Sequence, residues 1–512
     1  MSTEPSGGAD LLSLLIHHLP VFQIIVPLVT APLIVLLGRR AAWPLATLSA
    51  GLCLAISIGL VSLVGEGHPI TYALGGWEAP VGIVYVIDYA NALLLLIVSM
   101  VAAVVMVYAR QSVAAEIPED RHHLFYAALI LCMTGLLGIS ITGDAFNVFV
   151  FLEISSLSAY ALIAMGKNPR ALVAAYRYLV MGTIGGTFVL LGIGMLYQMT
   201  GTLNMADLAD RLAGPYLLNP DILVAQTSTV RAAFAFMTVG ALVKLALVPL
   251  HFWLPNCYTY APSVVSVFLS ATATKVSFYV LLRTIFGIFG ATMIAQTLQM
   301  ESLLLVLALI AIVGGSTVAI FQADVKRLLA YSSLAQIGYF VLGLSLNNET
   351  ALTGSLIHLF GHALMKGGLF MVMGCVAYRL GGTRLEHMAG LGKRMPLTMF
   401  AFVLGGLGMI GVPLTTGFVS KWYLVLGAME AGLGWVVGIV LFSSLLAVAY
   451  IWRIVEVAYF RAPPDETRTE APWGMLIPTY AMIIASIVFG IWTGPLIHIA
   501  STAAQNLMGG LH

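Results

Sequence analysis

The sequence is poor in charged residues. Only 9% of its 512 residues are Asp, Glu, Lys or Arg, and 60% are hydrophobic. A soluble domain carries about 25% charged residues, so this composition excludes an ordinary soluble protein. Apolar runs of about 20 residues recur along the chain, the length that a helix needs to cross about 30 Å of hydrocarbon. Because the alternating ten-residue strands of a porin-like barrel are absent, the sequence predicts an all-α polytopic membrane protein.

Several motifs are also missing, and their absence narrows the function. The four cysteines are far apart, so no CxxC pair is available for a metal ion or an iron–sulfur cluster. No GxxxxGK[ST] or GxGxxG stretch lies in a soluble loop, which argues against nucleotide-driven transport and dinucleotide binding. The net charge of +1 comes without a basic patch. We therefore expect no cofactor, no metal site, no catalytic residues and no nucleic-acid partner.

Hydropathy divides the chain into about fourteen spans, numbered here in chain order. Their approximate limits are 21–38, 43–64, 89–109, 124–143, 145–165, 174–199, 230–250, 262–286, 302–321, 327–346, 351–378, 398–427, 433–458 and 475–495.

The connections between spans differ sharply in basic residues. One alternate set, which we call the basic face, holds Arg39, Arg40, Arg110, Arg121, Lys167, Arg170, Arg177, Lys326, Arg327, Arg379, Arg384, Lys393, Arg394, Arg461 and Arg468. The opposite face holds Arg211, Arg231 and, at a helix end, Arg283. By the positive-inside rule the basic face is cytoplasmic, so we expect both termini outside the cytoplasm.

Four lysines fall inside predicted spans: Lys244, Lys275, Lys366 and Lys421. Glu153, in the stretch VFLEISSLSAY, is the only clear carboxylate at membrane depth. A buried, unpaired charge costs several kcal/mol or changes its protonation state. Lysines near a helix end can extend to the membrane surface, but the central ones cannot. Buried charges of this kind predict an ion or proton path.

The tripeptide Val-Pro-Leu occurs twice at membrane depth, around Pro249 and Pro413. Proline removes a backbone donor and clashes with the preceding turn, and Gly411 and Gly417 flank the second site. We predict that spans 7 and 12 are broken helices, which are tolerated only where they are buried or line a wet cavity. Proline kinks also occur in inert bundles. A matched pair beside buried lysines favours an inverted-repeat ion transporter with its site near the midplane.

Span 11 carries His358, His362 and Lys366 at spacings of four, which places all three on one helical face. The HxxxH spacing is compatible with a metal site or with two core histidines bonded to backbone. A wet polar stripe that passes protons explains all three residues together. Because four buried lysines cannot all pair with Glu153, we expect Glu153 to adjust the proton affinity of Lys244 and Lys275 to switch between charged and neutral forms. The predicted proton path contains Glu153, Lys244, Lys275, His358, His362, Lys366 and Lys421.

Six stretches carry a family resemblance: VFLEISSLSAY, LVKLALVPLHFWLP, ATATKVSFYVLLR, ADVKRLLAYSSLAQIGY, HALMKGGLF and GVPLTTGFVSKWYL. They resemble the antiporter-like subunits shared by respiratory complex I, membrane-bound hydrogenases and Mrp multisubunit cation/proton antiporters. The resemblance implies fourteen transmembrane helices with two inverted five-helix repeats. It divides the chain into 1–123 (three helices), 124–290 and 300–460 (the repeats) and 461–512 (helix 14). It also implies that the matching glutamate, the lysines of spans 7 and 8, the histidines of span 11 and the charged residue of span 12 form a proton path.

The branch of the family follows from smaller features. Lys421 stands where one complex I subunit type usually has glutamate, and the common WLPDAH motif reads Trp253 to Tyr258 as WLPNCY. A lysine at position 421 resembles the D-type chain of the Mrp antiporters and also the L and N types of complex I, whereas the WLPNCY stretch resembles the D-type chain. An end soon after span 14 argues against the long lateral helix of the L type and the extra domains of the A-type Mrp chain. We expect a non-enzymatic, proton-translocating subunit of a Na⁺(K⁺)/H⁺ antiporter in a bacterial inner membrane, with other subunits, H⁺, a monovalent cation and lipid as partners. The alternatives are a pump subunit of a complex I or hydrogenase type, and a scaffold or bicarbonate-uptake partner.

Overall fold

The computed structural model describes residues 13–65, 69–216, 218–290, 300–463 and 467–509. Among these residues, thirteen helices are long and apolar enough to cross a membrane. A further span consists of two shorter helices, which makes the fourteen predicted spans and confirms the all-α class. The extreme chain ends, which the sequence predicts outside the cytoplasm, lie beyond the described residues.

Eleven spans are single helices. They are Leu19–Leu37, Arg39–Val64, Tyr89–Glu116, His122–Ile141, Ala145–Ala164 and Pro169–Thr200 for spans 1 to 6, then Met300–Ile320, Val325–Ser345 and Glu349–Leu380 for spans 9 to 11, and Gly434–Phe460 and Trp473–Ile491 for spans 13 and 14.

Three spans are interrupted. Span 7 consists of Ser228–Leu245 and Leu254–Tyr260, span 8 of Ser263–Ala271, Ala273–Leu282 and the π-helix Arg283–Phe289, and span 12 of Pro396–Ile410 and Thr416–Glu430.

The connections contain short elements that hydropathy did not predict. Two antiparallel hairpins pair β1 (Ile70–Ala73) with β2 (Val84–Ile87) and β3 (Pro215–Tyr216) with β4 (Asn219–Leu223). In the first hairpin Ile70 lies opposite Ile87. Beside short 3₁₀ turns, the described residues outside the spans form the α-helices Met205–Ala213, Leu391–Arg394 and Gly494–Gly509. The last of these packs against spans 3 and 11.

The core of the bundle is formed by spans 8, 10 and 11. Within the protein, 89% of the most apolar window of span 8, 94% of that of span 10 and all of that of span 11 are buried, against 33% for spans 1, 2 and 13. Span 11 packs against spans 8, 10, 12 and 14. The polar residues on these central helices are therefore shielded from lipid by other helices.

The breaks in spans 7 and 12 confirm the two Val-Pro-Leu predictions. The first half of span 7 ends before Ala246, whose φ is +61°, and the first half of span 12 ends before Gly411, whose φ is +88°. Leu414 also has a positive φ, +74°, which is unusual for a residue with a side chain. Each break leaves carbonyl groups at a half-helix end that need donors from elsewhere.

The irregularity of span 8 was not predicted. Thr272 interrupts the helix with φ −124° and ψ −55°, and its hydroxyl donates to the carbonyl of Phe268 at 2.6 Å. Threonine hydroxyls that bond to the carbonyl four residues earlier bend helices. The span therefore changes direction three residues before Lys275.

Each of the two inverted repeats contains an equivalent isolated β-bridge. Asp144 caps span 5 and forms an isolated β-bridge with Asn204, beyond the end of span 6. Asp324 caps span 10 and forms the same bridge with Arg384, beyond the end of span 11. Each bridge joins residues 60 positions apart. Because span 5 begins on the opposite face and span 10 on the basic face, the two bridges lie on opposite sides of the membrane.

Candidate functional site

Glu153 and Lys244 meet between spans 5 and 7. The Lys244 Nζ lies 3.5 Å from the Glu153 Oε1, and it donates a hydrogen bond to the Ser156 Oγ at 2.8 Å. The lysine side chain is only 5% exposed and the glutamate 26%. Ser156 follows Glu153 by three residues and so shares its helical face. The lysine ammonium therefore has one charged and one neutral partner, both from span 5.

Span 6 leaves room for this carboxylate at a glycine. A Cβ atom added to Gly186 would lie 2.3 Å from the Glu153 Oε1, much closer than van der Waals contact allows. At an effective dielectric constant of about 20, two charges 3.5 Å apart attract by about 5 kcal/mol. The absent side chain of Gly186 thus permits the glutamate position on which that attraction depends.

Lys275 has no acidic partner in the part of the chain that the structure describes. Its side chain is fully buried, and its Nζ donates to the backbone carbonyl of Ser270. Ser270 lies in the last turn of the helix that ends at Ala271, where carbonyls lack partners of their own helix. The interruption at Thr272 therefore supplies the acceptor for a lysine that no carboxylate holds.

The two histidines of span 11 stack on each other. Their ring centroids are 6.0 Å apart with an angle of 11° between the planes, and the Phe340 ring packs edge-on against both at 5.4 Å. The His358 Nδ1 shares a hydrogen bond with the Ser420 Oγ at 2.8 Å. Among the described residues, neither ring nitrogen of His362 nor the His358 Nε2 has a hydrogen-bond partner. Buried polar atoms of this kind are typically satisfied by internal water.

Lys366 extends from span 11 toward span 10. Its Nζ donates to the Leu329 carbonyl at 2.7 Å and to the Ser332 hydroxyl. Both partners are fully buried. Leu329 is the fifth residue of span 10, so Lys366 points from the bundle centre toward the basic face.

Lys421 binds the end of the broken helix in span 12. Its Nζ donates to the Ile410 carbonyl at 2.8 Å and to the Ser444 hydroxyl at 3.1 Å, and it lies 5.2 Å from the centre of the Tyr339 ring. The Ile410 carbonyl has no partner within its own helix because the half-helix stops there. Pro413 and its glycine neighbours therefore create the acceptor that holds this lysine, and Ser420, adjacent to Lys421, connects it to His358.

The predicted path residues form two groups. The first is Glu153 with Lys244. In the second, the charges of Lys275 and Lys366 act on His362, and those of Lys275 and Lys421 act on His358. No hydrogen bond or ion pair between described residues joins Lys244 to Lys275. The structure thus brings together the members of each group and leaves a gap between the groups.

No group of three His, Cys, Asp or Glu side chains among the described residues is arranged to hold a metal ion. The spacing of His358 and His362 supplies at most two ligands. The histidine stripe therefore has no metal-binding geometry in the described part of the chain.

Sequence reasoning missed two sets of residues. The first comprises the hydroxyl partners of the path: Ser156, Ser332, Ser420 and Ser444. The second comprises charged residues that were assigned to connections or helix ends: Lys326 is 5% exposed in the first turn of span 10, and Arg283 forms a buried ion pair with Asp88, the N-cap of span 3.

A usable signal existed for the second set. Asp324 is a typical N-cap residue, which starts the helix at Val325 and so places Lys326 inside it. Arg283 follows Lys275 by eight residues, a spacing that keeps it on the same helical face.

Comparison with known proteins agrees with this architecture. Residues 142–447, more than half of the chain, match the family model described as NADH:quinone oxidoreductase/Mrp antiporter, transmembrane. The NADH-quinone oxidoreductase N subunit of Desulforudis audaxviator is 42% identical over 504 residues, which covers 94% of this chain and 97% of that protein. The D subunit of the Na⁺/H⁺ antiporter of Bacillus subtilis is 28% identical over 500 residues, covering 96% and 98%.

A solved structure shares the fold over the same extent. A chain of the membrane-bound sulfane sulfur reductase, an archaeal respiratory membrane complex, superposes with a TM-score of 0.85 at 32% identity and covers 96% of this chain and 97% of its own. The matched family segment contains Glu153 and all four buried lysines that the sequence singled out. This protein therefore belongs to the NADH:quinone oxidoreductase/Mrp antiporter transmembrane family.

Proposed function

We propose that this chain is the proton-translocating, antiporter-like subunit of a multisubunit membrane complex. The observation that carries the proposal is the contact of Glu153 with Lys244. Among the described residues it is the only ion pair that joins a lysine to a carboxylate. Its lysine lies two residues before Ala246, where span 7 is broken. The other buried lysines have neutral oxygen partners, so they have no countercharge to hold them permanently protonated.

The residues suggest how a proton moves. A proton that reaches the Glu153 carboxylate neutralises it and removes the attraction that keeps the Lys244 ammonium charged. Lys244 then releases a proton from its Nζ to the Ser156 Oγ, while the serine hydroxyl hydrogen moves on across the gap toward the neutral Lys275 amine. Lys275, His362 and His358 form the continuation, and Lys421, just beyond the break in span 12, is the terminal group. Each lysine alternates between ammonium and amine, and its carbonyl and hydroxyl acceptors fit either form.

The assembly that best accounts for the sequence is a Na⁺(K⁺)/H⁺ antiporter, in which this chain takes the place of the D subunit. Similarity to the Bacillus subtilis antiporter chain over nearly the full length of both proteins supports this role. The basic face is then cytoplasmic and the membrane is the bacterial inner membrane. The remaining subunits, lipid, H⁺ and a monovalent cation are the partners.

A redox-driven complex is the second candidate. It is favoured by the 42% identity to an NADH-quinone oxidoreductase N subunit and by the likeness to a respiratory membrane complex. In that assembly the same relay moves protons, but the free energy comes from electron transfer in other subunits. The chain itself is not an enzyme in either assembly.

The relay is tested by Glu153→Gln in the complete complex, assayed in everted membrane vesicles. Glutamine keeps the shape but removes the charge, so we expect transport to stop while the complex still assembles. Glu153→Asp should retain part of the activity. Glu119→Gln is the matched control, because Glu119 is an exposed carboxylate on the basic face. Wild-type transport in Glu153→Gln would exclude the pair from the path.

The energy source is tested separately with the same vesicles. For an antiporter, an imposed Na⁺ or K⁺ gradient drives proton movement without any electron donor. For a redox-driven complex, proton movement requires a reductant and an acceptor and does not respond to the cation gradient. The second outcome would replace the antiporter proposal and leave the relay intact.

A further inference from the structure

Three polar residues meet at the basic face, outside the relay described above. The Ser263 backbone N–H donates to the Glu116 Oε2 at 2.8 Å, and the Lys326 Nζ donates to the Ser263 Oγ at 2.9 Å. They come from the end of span 3, the start of span 8 and the start of span 10. Ser263 thus contacts the carboxylate through its backbone N–H and the amine through its hydroxyl, so that one residue touches both groups across three helices.

The burial of this cluster changes from one end to the other. Glu116 is partly exposed, and its Oε1 accepts a hydrogen bond from the buried Ser112 at 2.9 Å. Ser263 is fully buried and Lys326 is 5% exposed. The carboxylate therefore contacts solvent at the membrane surface, whereas the amine lies within the bundle. The charges that act on Lys326 are Glu116 and Asp324, the N-cap of its own span.

The cluster leads toward a lysine of the relay. Leu329 and Ser332, which accept the hydrogen bonds of Lys366, follow Lys326 by three and six residues. The rise of an α-helix places them about 4.5 and 9 Å further along the axis. The four-carbon stem of a lysine is flexible enough to cover such a step. Lys326 therefore lies on span 10 close to the residues that bind Lys366, and it is the nearer of the two lysines to the surface.

We propose that Glu116, Ser263 and Lys326 form the entrance through which protons pass between the basic face and Lys366. In the inward step, the Glu116 carboxylate takes a proton from water. The carboxylic acid turns from the Ser263 backbone N–H to the Ser263 Oγ and gives its proton there, while the serine hydroxyl hydrogen moves to the neutral Lys326 amine. Glu116 is then a carboxylate again and Lys326 an ammonium, which passes its proton to the Lys366 amine. This entrance rests on the proposed proton-translocating function. It adds that protons reach the relay from the basic face.

The test uses the assembled complex in everted vesicles, in which the cytoplasmic face is turned outward and the external buffer sets its pH. Transport is measured against external pH with internal pH fixed, and against internal pH with external pH fixed. We expect Glu116→Gln and Lys326→Ala to lower the rate by about tenfold to a hundredfold at alkaline external pH. Acidifying the external buffer should restore part of the rate, while the dependence on internal pH stays as in the wild type.

Two further variants separate proton transfer from a structural role. Lys326→Arg keeps the charge and a donor for Ser263 but cannot release a proton at physiological pH, so it should be as slow as Lys326→Ala. Ser263→Ala retains the backbone bond to Glu116 and removes only the hydroxyl link. The controls are Lys393→Ala, an exposed lysine on the same face, and Ser277→Ala, whose hydroxyl bonds within span 8. Both controls should transport normally.

The outcomes distinguish the entrance from the relay. If Lys326→Arg is fully active, Lys326 is a fixed charge and the entrance is wrong. The entrance is also wrong if Glu116→Gln matches its control, Glu119→Gln, at every external pH while Glu153→Gln is inactive; the relay would then stand without it. Activity in Glu153→Gln would instead remove the proposed function. Should Lys326→Ala fail to assemble, Lys326→Arg and Glu116→Gln still decide the question.

Discussion

Gly186→Ala tests the ion pair at the centre of the site without touching either charge. The added Cβ would lie 2.3 Å from the Glu153 Oε1, whereas ordinary van der Waals contact begins at 3.4 Å. The carboxylate must therefore move by about 1.1 Å, and a shift directly away from the Lys244 Nζ lengthens their distance from 3.5 Å to about 4.6 Å. At an effective dielectric constant of about 20, the attraction falls from about 4.7 to about 3.6 kcal/mol.

The loss of about 1.1 kcal/mol corresponds to about a sixfold change in any equilibrium that depends on the pair. We expect proton-coupled transport in everted vesicles to fall by about that factor. The helix itself should not suffer, since alanine is the better helix former by about 1 kcal/mol. Assembly of the complex, measured by co-purification of the other subunits, should be unchanged.

Gly194→Ala is the matched control for this experiment. Gly194 lies on the same span, two turns further on, and a Cβ there would meet nothing within 4 Å. It should transport at the wild-type rate. If both variants transport equally, the position of the Glu153 carboxylate does not limit proton movement, and the reasoning from the ion pair is refuted.

Four further predictions concern the other buried charges and the assembly. Lys421→Ala should abolish transport in vesicles, and Lys421→Arg should be nearly as harmful because arginine does not release its proton; equal activity of Arg and Lys would reduce this residue to a fixed charge. Lys275→Ala and Lys275→Arg should both block turnover without preventing assembly, whereas normal transport in Lys275→Met would show that protons travel by another route. Asp88→Ala should leave Arg283 buried without its partner and cost about 3 to 5 kcal/mol of stability, visible as a lower midpoint of thermal unfolding in detergent; an unchanged midpoint would contradict the importance of this pair. Finally, the isolated chain in liposomes should give no cation/proton exchange, and robust exchange would contradict the dependence on partner subunits.

The spans and their breaks were predictable because they depend on local chemistry. Apolar length fixes a membrane span, and proline at Pro249 and Pro413 removes a donor wherever the helix lies. The break at Thr272 was not predictable in the same way. Threonine tolerates a regular helix as well as a bent one, and only the packing of span 8 between its neighbours selects the bend.

The charged residues of the site were predictable, but their partners were not. Hydrophobic surroundings made Glu153 and the four buried lysines conspicuous in the sequence. The serines that accept their hydrogen bonds are common in membrane helices and carry no signal of their own. Ser156 is an exception, because it lies one turn from Glu153, but Ser444 is brought to Lys421 from a different span by tertiary packing alone.

The carbonyl groups at the ends of the two broken helices bind different kinds of donor, and the difference bears on the role of Lys421. In span 7 the Trp253 indole N–H donates at 3.0 Å to the Val243 carbonyl near the end of the half-helix, and the Ala246 N–H donates to the same carbonyl at 3.2 Å. Both donors to this carbonyl are permanently neutral. In span 12 the Ile410 carbonyl depends on the Lys421 amine. A neutral amine still carries two hydrogens to donate, so proton release by Lys421 weakens this bond without leaving the carbonyl unpaired. The break in span 12 therefore responds to the charge of the relay, while the break in span 7 does not.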